Sequence, residues 1–379
     1  KSRLAVATAL KSDLLEGAAE LSSEELMRRA GSVLDKFGRD SWKAELISDW
    51  KIRLETASDG FLDAIVDNAQ VIGGTCIGIA RHRAVGTARF DLCIVDEASK
   101  ATATETLVPL VRAESWILVG DQRQLPPFQE EALSDVAFQS EFELDKIELG
   151  RTLFDRMISH LPTHSHAMLS TQRRMTKAVG ELVSSCFYDG KLLSKGPDPL
   201  PEILGVLTKP VTWFSTSRLS GRHESRSGNQ STSFVNAREV DRVSKVLSAL
   251  AFAYRSRKLE DPLSIIVVAP YSGQISQLQR VVDTCRSELP KCSIEVNSVD
   301  AVQGREADLV ILSTVRSNSD RRIGFLDSDK RANVALSRAK RGLVIIGDAD
   351  FLATADSPFQ SVIGFIRQHP EFAVIEDLA

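Results

Sequence analysis

Short apolar runs that end at glycine, aspartate or proline recur along most of the chain. They occupy residues 92–95 and 116–119 in the first half and residues 265–268, 309–312 and 343–346 in the second. Stretches with helical spacing separate these runs. This alternation is typical of parallel strands that are connected by helices and buried on both faces. The pattern predicts an α/β fold.

The alternation divides the chain into parts. It breaks between residues 155 and 230, where prolines and a polar stretch interrupt it, and it resumes afterwards. The first 65 residues are rich in Ala, Leu, Glu, Lys and Arg with apolar residues at helical spacing. We predict a helical stalk over residues 1–65, the remainder of a first parallel-sheet domain over 66–160, and a second domain over 161–379. Within the second domain, residues 215–231 are rich in Ser, Arg and Gly. We interpret them as a solvated loop, and the alternative is an arm that binds nucleic acid.

Composition narrows the class of protein but not its ligand. Hydrophobic residues make up 43% and charged residues 26% of the chain, as in ordinary globular proteins. The five cysteines include no CxxC pair, so neither a zinc ribbon nor a disulfide framework is indicated, and we expect a cytoplasmic location, or a nuclear one in a eukaryote. The net charge of −4 implies that any nucleic acid is held by a local groove.

The strongest local signal is a pair of carboxylates at the end of an apolar strand. Residues 92–95 are followed directly by Asp96 and Glu97. In open α/β sheets, ligands bind at the carboxyl ends of the strands. We predict that Asp96 holds Mg²⁺ through one carboxylate and that Glu97 deprotonates an attacking water. The alternative is a helix N-terminus whose acidic residues complement the helix dipole.

A second strand, residues 116–119, is followed by Gly120-Asp121-Gln122-Arg123-Gln124-Leu125-Pro126-Pro127. Alone, this segment is better interpreted as a turn. Together with Asp96-Glu97 it resembles superfamily 1 helicases, in the branch that contains the nonsense-mediated-decay RNA helicase and senataxin. The resemblance implies that Gln124 contacts the terminal phosphate of a nucleotide.

The resemblance continues at Gln172-Arg173-Arg174-Met175, which is similar to the Gln-Tyr-Arg-Met motif of that branch. In the family, the motif's arginine supplies a finger to the γ-phosphate, and this role falls on Arg174. Arg173 stands where the family has a tyrosine that commonly packs on adenine. A guanidinium can also stack on a base, so the base preference stays open.

Two further segments resemble family motifs that contact the nucleotide. Residues 299–306 resemble motif V and residues 333–340 resemble motif VI, in which Arg338 is implied as a second γ-phosphate ligand. Two arginines of one domain that meet a nucleotide held by the other make domain closure depend on the γ-phosphate. The nucleotide-facing residues implied by the resemblance are Gln172, Arg173, Gln303, Gly304, Arg305 and Glu306.

Loops at strand ends are implied as the nucleic-acid contacts. Hydroxyls, amides and backbone groups suit binding to sugar and phosphate without regard to sequence. For Thr75 and Ser313, a helix cap is the alternative. Whether the track is RNA or DNA stays open. The implied residues are Thr75, Pro126, Tyr271, Gln274, Ser313 and Thr314.

The sequence has no segment with the G-x-x-x-x-G-K-[ST] spacing of a phosphate-binding loop. Gly190-Lys191 lacks the earlier glycine and the following hydroxyl residue, and residues 73–78 lack the lysine. Both are interpreted as turns. In the family the loop lies upstream of the stalk, so we expect this chain to be a fragment that does not hydrolyse ATP alone.

These observations combine into one prediction. The fold is expected to be α/β, with two RecA-like parallel-sheet domains, the first incomplete, and an N-terminal helical stalk insertion. The predicted function is an ATP- and Mg²⁺-dependent helicase or translocase that acts on single-stranded RNA or DNA, 5′ to 3′ by resemblance. The alternatives are a catalytically inert nucleic-acid clamp derived from a helicase and a P-loop NTPase switch that acts on proteins.

Overall fold

The computed structural model describes residues 68–81, 88–127, 151–199, 205–228, 232–257 and 262–378, together with the isolated positions 28, 32, 48, 52, 66, 85 and 140. The chain divides into two compact units, Lys1–Gly120 with Thr152–Phe154 and Asp121–Arg151 with Asp155–Ala379. The stalk predicted for residues 1–65 lies outside the described residues apart from four of the isolated positions. The predicted three-part division therefore stays a prediction.

The first unit contains a β-α-β segment with parallel strands. A short helix, α1 (Cys76–Arg81), precedes strand β1 (Phe90–Val95), helix α2 (Ala103–Leu110) and strand β2 (Ala113–Leu118). β1 and β2 pair in parallel along their whole length. Helix α2 begins at a capping box, in which the Thr102 hydroxyl accepts from the Glu105 N–H and the Glu105 carboxylate accepts from the Thr102 N–H.

The carboxyl ends of β1 and β2 are held together by backbone contacts. The Val119 N–H donates to the Val95 carbonyl at 2.9 Å, and the Ala98 N–H donates to the Val119 carbonyl at 2.8 Å. Gly120 lies so close to the turn that follows β1 that a Cβ added to it would be 2.8 Å from the backbone nitrogen of Ser99. A glycine is required here because only a residue without Cβ permits this approach.

The second unit contains the strands β3 (Thr171–Gln172), β4 (Leu193–Ser194), β5 (Val211–Ser215), β6 (Ser225–Arg226), β7 (Phe234–Val235), β8 (Leu263–Val268), β9 (Cys292–Asn297), β10 (Ala307–Ser313), β11 (Ala339–Gly347) and β12 (Ala373–Asp377). Six of them form one sheet with the order β12-β5-β11-β10-β8-β9, in which all neighbours pair in parallel. The short strands β3 and β4 pair in parallel, and β6 and β7 form an antiparallel pair.

Helices cover both faces of this sheet. The remaining helices are α3 (Leu153–His160), α4 (Lys177–Phe187), α5 (Ala237–Arg257), α6 (Ser272–Cys285), α7 (Asp329–Ser337), α8 (Ala349–Thr354) and α9 (Phe359–Gln368). None of the helices in the described part of the chain is long and apolar enough to cross a membrane.

Strand β10 shows how the core is divided between the two faces. Val310 and Leu312 belong to the cluster that includes α4, α7 and α9, whereas Leu309 and Ile311 belong to the cluster that includes α5 and α6. Successive side chains of a strand point to opposite faces, so a strand buried on both sides has a continuous apolar sequence. The α/β class with parallel sheets, as predicted from these runs, is confirmed.

The close approach at Gly120 yields a test of the first unit. We expect Gly120→Ala to lower the free energy of unfolding by about 1–3 kcal/mol, because the added methyl group meets backbone that has to move. Chemical denaturation followed by circular dichroism measures the change.

The matched control is Gly364→Ala in helix α9, where an added Cβ meets nothing within 4 Å. This substitution should leave stability unchanged or raise it by up to about 1 kcal/mol, since alanine is the better helix former. Equal stabilities of the two variants would contradict the account of Gly120.

Candidate functional site

The predicted carboxylate pair lies in a strained turn directly after β1. Glu97 has a φ of 55°, which is uncommon for a residue other than glycine, and its N–H donates to Asp96 Oδ1 at 2.9 Å. Both side chains are exposed. They line a cavity of about 740 Å³ together with Gly74, Thr75 and Lys100. Backbone strain of this kind clusters at functional sites.

The residues at this turn fit a magnesium ion that is bound together with a nucleotide. Among the described residues there is no group of three or more His, Cys, Asp or Glu side chains that could enclose a metal. Mg²⁺ is commonly held by one or two carboxylates, with water and substrate phosphates as its other ligands. The exposed carboxylate of Asp96 suits this kind of site.

The loop that carries Gln124 is held by a hydrogen-bonded network within the second unit. Asp121 Oδ2 accepts from Gln124 Nε2 at 2.9 Å and from the Tyr188 hydroxyl at 2.5 Å. Asn333 Nδ2 donates to the Tyr188 oxygen at 2.9 Å and to the Arg123 carbonyl at 2.8 Å. The loop is therefore fixed to α4 and α7.

Tyr188 was not predicted as a site residue. Burial raises the pKa of its phenol, and the neighbouring Asp121 raises it further. Its sequence context, Phe187-Tyr188-Asp189-Gly190, indicates only the turn that the structure contains, with positive φ at Asp189 and Gly190. A buried tyrosine hydroxyl usually finds a hydrogen-bond partner, but no local pattern shows which one.

Arg338 lies inside the protein at the start of β11, with 1% of its surface exposed. Its Nε donates to the Val334 carbonyl at 3.0 Å and its Nη1 to the Arg305 carbonyl at 3.2 Å. Its Nη2 donates to Ser337 Oγ at 2.9 Å and lies 3.5 Å from Gln124 Oε1. Two predicted phosphate-contacting residues, Gln124 and Arg338, are thus brought together.

Arg174 projects from a turn that is shaped by Gln172. Gln172 Oε1 accepts from the backbone N–H groups of Arg174 at 3.0 Å and Met175 at 2.8 Å, and its Nε2 donates to the Met175 carbonyl at 3.0 Å. The amide of Gln172 is therefore engaged within the turn. Arg174 Nε pairs with Glu306 Oε2 at 2.9 Å, and the side chain of Arg173 is exposed.

The segment before β10 turns at Gly304, whose φ of +80° favours glycine. Arg305 pairs with Glu295, and its carbonyl receives Arg338. Gln303 is 9% exposed, and its Nε2 has no hydrogen-bond partner among the described residues. An unpaired buried donor at this position leaves a polar group available to a ligand.

The parallel sheet separates the two predicted sets of residues. Glu306 and Arg338 directly precede β10 and β11, whereas Tyr271 lies three residues beyond the end of β8 and Thr314 directly follows β10. Because the strands run in the same direction, the nucleotide-side residues lie at the amino edge of the sheet. Four of the residues predicted for nucleic acid, Tyr271, Gln274, Ser313 and Thr314, lie at its carboxyl edge.

The side chains of Gln274, Ser313 and Thr314 are fully buried in this structure, and their predicted contact with nucleic acid stays a prediction. Gln274 Nε2 donates to Ser313 Oγ at 2.9 Å. The Ser313 and Thr314 hydroxyls donate to Glu239, at 2.6 Å to Oε2 and 3.4 Å to Oε1. They are turned inward because a buried carboxylate needs hydrogen-bond donors.

Tyr271 is also enclosed, at 5% exposure. Its ring packs edge-on against Phe234 and Phe325, with centroids 5.3 and 5.4 Å away, and its oxygen accepts from Arg316 Nη1 at 3.2 Å. A direct nucleic-acid contact through this side chain also stays a prediction.

Thr75 and Pro126 do lie at the surface. The Thr75 hydroxyl accepts from the Gly78 N–H at 3.0 Å, which is the cap that was left open as the alternative.

Glu239 lies in the first turn of α5, where the sequence has the spacing of a capping box but the hydrogen bonds differ from those of a capping box. Asn236-x-x-Glu239 has the spacing of a capping box, and Asn236 Oδ1 accepts from the Glu239 N–H at 3.3 Å. The reciprocal bond is made by Gln274 Oε1, which accepts from the Asn236 N–H at 2.9 Å. Glu239 Oε2 instead accepts from the N–H of Val315, whose φ is 69°. Burial raises the pKa of Glu239 to about 8.

Parallel sheets with a carboxylate pair at one strand end, and arginines at the amino edge of the second sheet, define a nucleotide-binding domain of the α/β class. Residues 149–350, more than half of the chain, match a family described as AAA domain. Residues 9–129 match a second family with the same description. The chain belongs to this family, and it is similar to superfamily 1 helicases.

Three relatives illustrate the similarity. The regulator of nonsense transcripts 1 homolog of Neurospora crassa is 34% identical over 76% of this chain and 25% of its own length. The ATP-dependent helicase NAM7 of Saccharomyces cerevisiae is 34% identical over 76% of this chain and 28% of its length. The DNA polymerase alpha-associated DNA helicase A of the same yeast is 32% identical over 69% and 39%. The chain thus spans less than half the length of each.

Glu239 leads to a prediction about stability and pH. Its pKa is about 8 in the folded protein and is raised from 4.5. Between these values the folded protein binds more protons than the unfolded chain, so the free energy of unfolding falls as pH rises. The contribution of Glu239 is fully present below pH 4.5 and is lost as pH rises through 8.

Glu239→Gln should remove this component, so that the variant gains stability relative to the wild type between pH 5 and pH 8. Urea denaturation at several pH values measures it. The control is Asp241→Asn, which removes an exposed carboxylate from the same helix. Parallel pH profiles of wild type and Glu239→Gln would show that Glu239 is not the titrating group.

Proposed function

We propose that this protein is the motor of an ATP-dependent helicase that moves along single-stranded nucleic acid, 5′ to 3′. The observation that carries the proposal is the strained turn after β1, which presents Asp96 and Glu97 to an open cavity. Similarity to superfamily 1 helicases supports the same chemistry. The direction of movement rests on the family alone.

Each carboxylate of the turn has a separate role in this proposal. Asp96 holds Mg²⁺, which would neutralise charge on the nucleotide phosphates when bound. Glu97 orients the attacking water and accepts its proton. A φ of 55° at Glu97 fixes the direction in which its side chain leaves the backbone. Preorganised geometry of this kind contributes strongly to catalysis.

Arg174 and Arg338 differ in how many of their present contacts must break before they can bind a phosphate. Arg174 is 40% exposed and paired with Glu306, so a phosphate would compete with one carboxylate. Arg338 donates to the carbonyls of Val334 and Arg305, and these bonds would have to be exchanged. We propose that Arg174 contacts the γ-phosphate first and that Arg338 follows with the movement of the Gln124 loop.

The nucleic-acid track is proposed as single-stranded RNA or DNA. The relatives include both a regulator of nonsense transcripts and a DNA helicase. Thr75 and Pro126 remain candidate contacts because they are exposed. At the carboxyl edge of the second sheet, the exposed Arg218 and Arg226 belong to the segment that was interpreted as a loop or an arm.

An inert clamp that binds nucleic acid without hydrolysis is the second candidate. It is favoured by the absence of a G-x-x-x-x-G-K-[ST] segment from this sequence, because that segment forms the phosphate cradle of such enzymes. We therefore propose that residues 1–379 alone do not hydrolyse ATP and that hydrolysis requires a phosphate-binding loop from outside this sequence.

Hydrolysis by the full-length gene product, with and without single-stranded RNA or DNA, tests the proposal. We expect stimulated turnover that Glu97→Gln lowers by at least about 100-fold, the usual effect of losing a general base. Residues 1–379 should be inactive in the same assay. The matched control is Glu114→Gln, an exposed carboxylate of β2 away from its carboxyl end.

Two results would count against the motor. Full turnover by the Glu97→Gln protein would exclude Glu97 as the base. A wild-type gene product that binds nucleic acid without hydrolysing ATP would favour the clamp.

A further inference from the structure

We propose that Tyr188 is a positioning residue for Gln124 and holds its side-chain amide in the orientation that nucleotide hydrolysis requires. The proposal deepens the proposed function and rests on it, because Gln124 acts on a nucleotide only if the protein hydrolyses one. Tyr188 itself is not placed in contact with substrate.

Tyr188 is mounted rigidly at the end of α4. Its N–H donates to the Ser184 carbonyl at 3.0 Å, which closes the last turn of the helix. The chain then reverses through Asp189 and Gly190, both with positive φ, and the Lys191 N–H donates back to the Tyr188 carbonyl at 2.9 Å. The backbone on both sides of the tyrosine is therefore fixed.

The Tyr188 hydroxyl uses both its donor and an acceptor position. It donates to Asp121 Oδ2 at 2.5 Å and accepts from Asn333 Nδ2 at 2.9 Å. Asp121 Oδ2 also accepts from Gln124 Nε2 at 2.9 Å. One carboxylate oxygen is therefore shared by Tyr188 and Gln124.

This arrangement sets the orientation of the Gln124 amide. With Nε2 directed to Asp121, Oε1 is directed to Arg338 Nη2 at 3.5 Å. The opposite orientation would place an amide NH₂ against a guanidinium, which has no acceptor. Tyr188 stabilises the observed orientation because it keeps Asp121 in place.

The other contacts of the loop do not replace the hydroxyl. Arg123 and Asp189 form an ion pair at 3.5 Å, but both side chains are about three-fifths exposed, and exposed pairs contribute little. Asn333 also donates to the Arg123 carbonyl at 2.8 Å, which holds the backbone of the loop but not the Asp121 carboxylate. The partly buried phenol of Tyr188 links the Asp121 carboxylate to the end of α4.

Tyr188→Phe removes only the hydroxyl, and Tyr254→Phe is the matched control. Tyr254 is a partly buried tyrosine of α5 that packs on the other core cluster and hydrogen-bonds to Cys292. Thermal unfolding of both variants of residues 1–379 checks that they remain folded.

Hydrogen exchange on residues 1–379 tests the contact without any hydrolysis. The Arg123 N–H donates to Asp121 Oδ1 at 2.9 Å and the Gln124 N–H to the Asp121 carbonyl at 3.2 Å. We expect these two amides to exchange at least about 10-fold faster in Tyr188→Phe and at the wild-type rate in Tyr254→Phe. Unchanged exchange in Tyr188→Phe would overturn the proposal.

Hydrolysis by the full-length gene product tests the consequence. We expect Tyr188→Phe to lower nucleic-acid-stimulated kcat by about 10-fold or more with KM for ATP within about 3-fold, since an interaction made in the transition state is lost. Tyr254→Phe should behave as wild type. Faster exchange with an unchanged kcat, or a higher KM alone, would exclude a positioning role.

A wild-type protein without hydrolysis would instead show that the proposed motor function fails. The exchange measurement would still decide whether Tyr188 holds the loop, so the two failures are distinguishable.

Discussion

The buried guanidinium of Arg338 is the constraint on which the amino edge of the second sheet depends. An arginine stays charged in a protein and has only donors, so an enclosed one must be surrounded by acceptors. Here they are the carbonyls of Val334 and Arg305, the Ser337 hydroxyl and, at longer range, the Gln124 amide oxygen. One side chain thus joins α7, the segment before β10 and the loop after β2.

The two edges of the sheet in the second unit differ in how their charged groups are held. At the amino edge the enclosed Arg338 lies near half-exposed charged groups that can exchange partners, as in the pair between Arg174 and Glu306. At the carboxyl edge a fully buried carboxylate, Glu239, gathers hydroxyls and the Val315 N–H into a closed network. Changes of partner therefore require less rearrangement at the amino edge, where the motifs for nucleotide binding lie.

Features that depend on local pattern were predictable from the sequence. Continuous apolar runs identified β1, β2, β8, β10 and β11. In β8, β10 and β11 the run reflects burial on both faces of the sheet, where no polar alternation is expected. The position of Asp96 and Glu97 followed from the end of such a run. The direction of a side chain beyond a strand end was not predictable. The resemblance implies that Ser313 is a loop residue, whereas in the structure it is the last residue of β10 and its hydrogen-bond partner Glu239 is 74 positions away.

Tyr188 illustrates the same limit more sharply. Its turn was visible in the sequence, but its hydroxyl bonds residues 67 and 145 positions away, and only the folded chain brings these together. Long-range polar contacts depend on geometry that no short window contains. The resemblance to a family indicates which positions matter without showing which atoms they contact.

The most direct test of this account is a double-mutant cycle between Gln124 and Arg338 in the full-length gene product. Nucleic-acid-stimulated ATP hydrolysis would be measured for Gln124→Ala, Arg338→Lys and the combination, with unfolding followed in parallel. If the two side chains act as one unit, the double variant should be no slower than the slower single variant. Losses that multiply would show that Gln124 and Arg338 act independently, which would contradict the account.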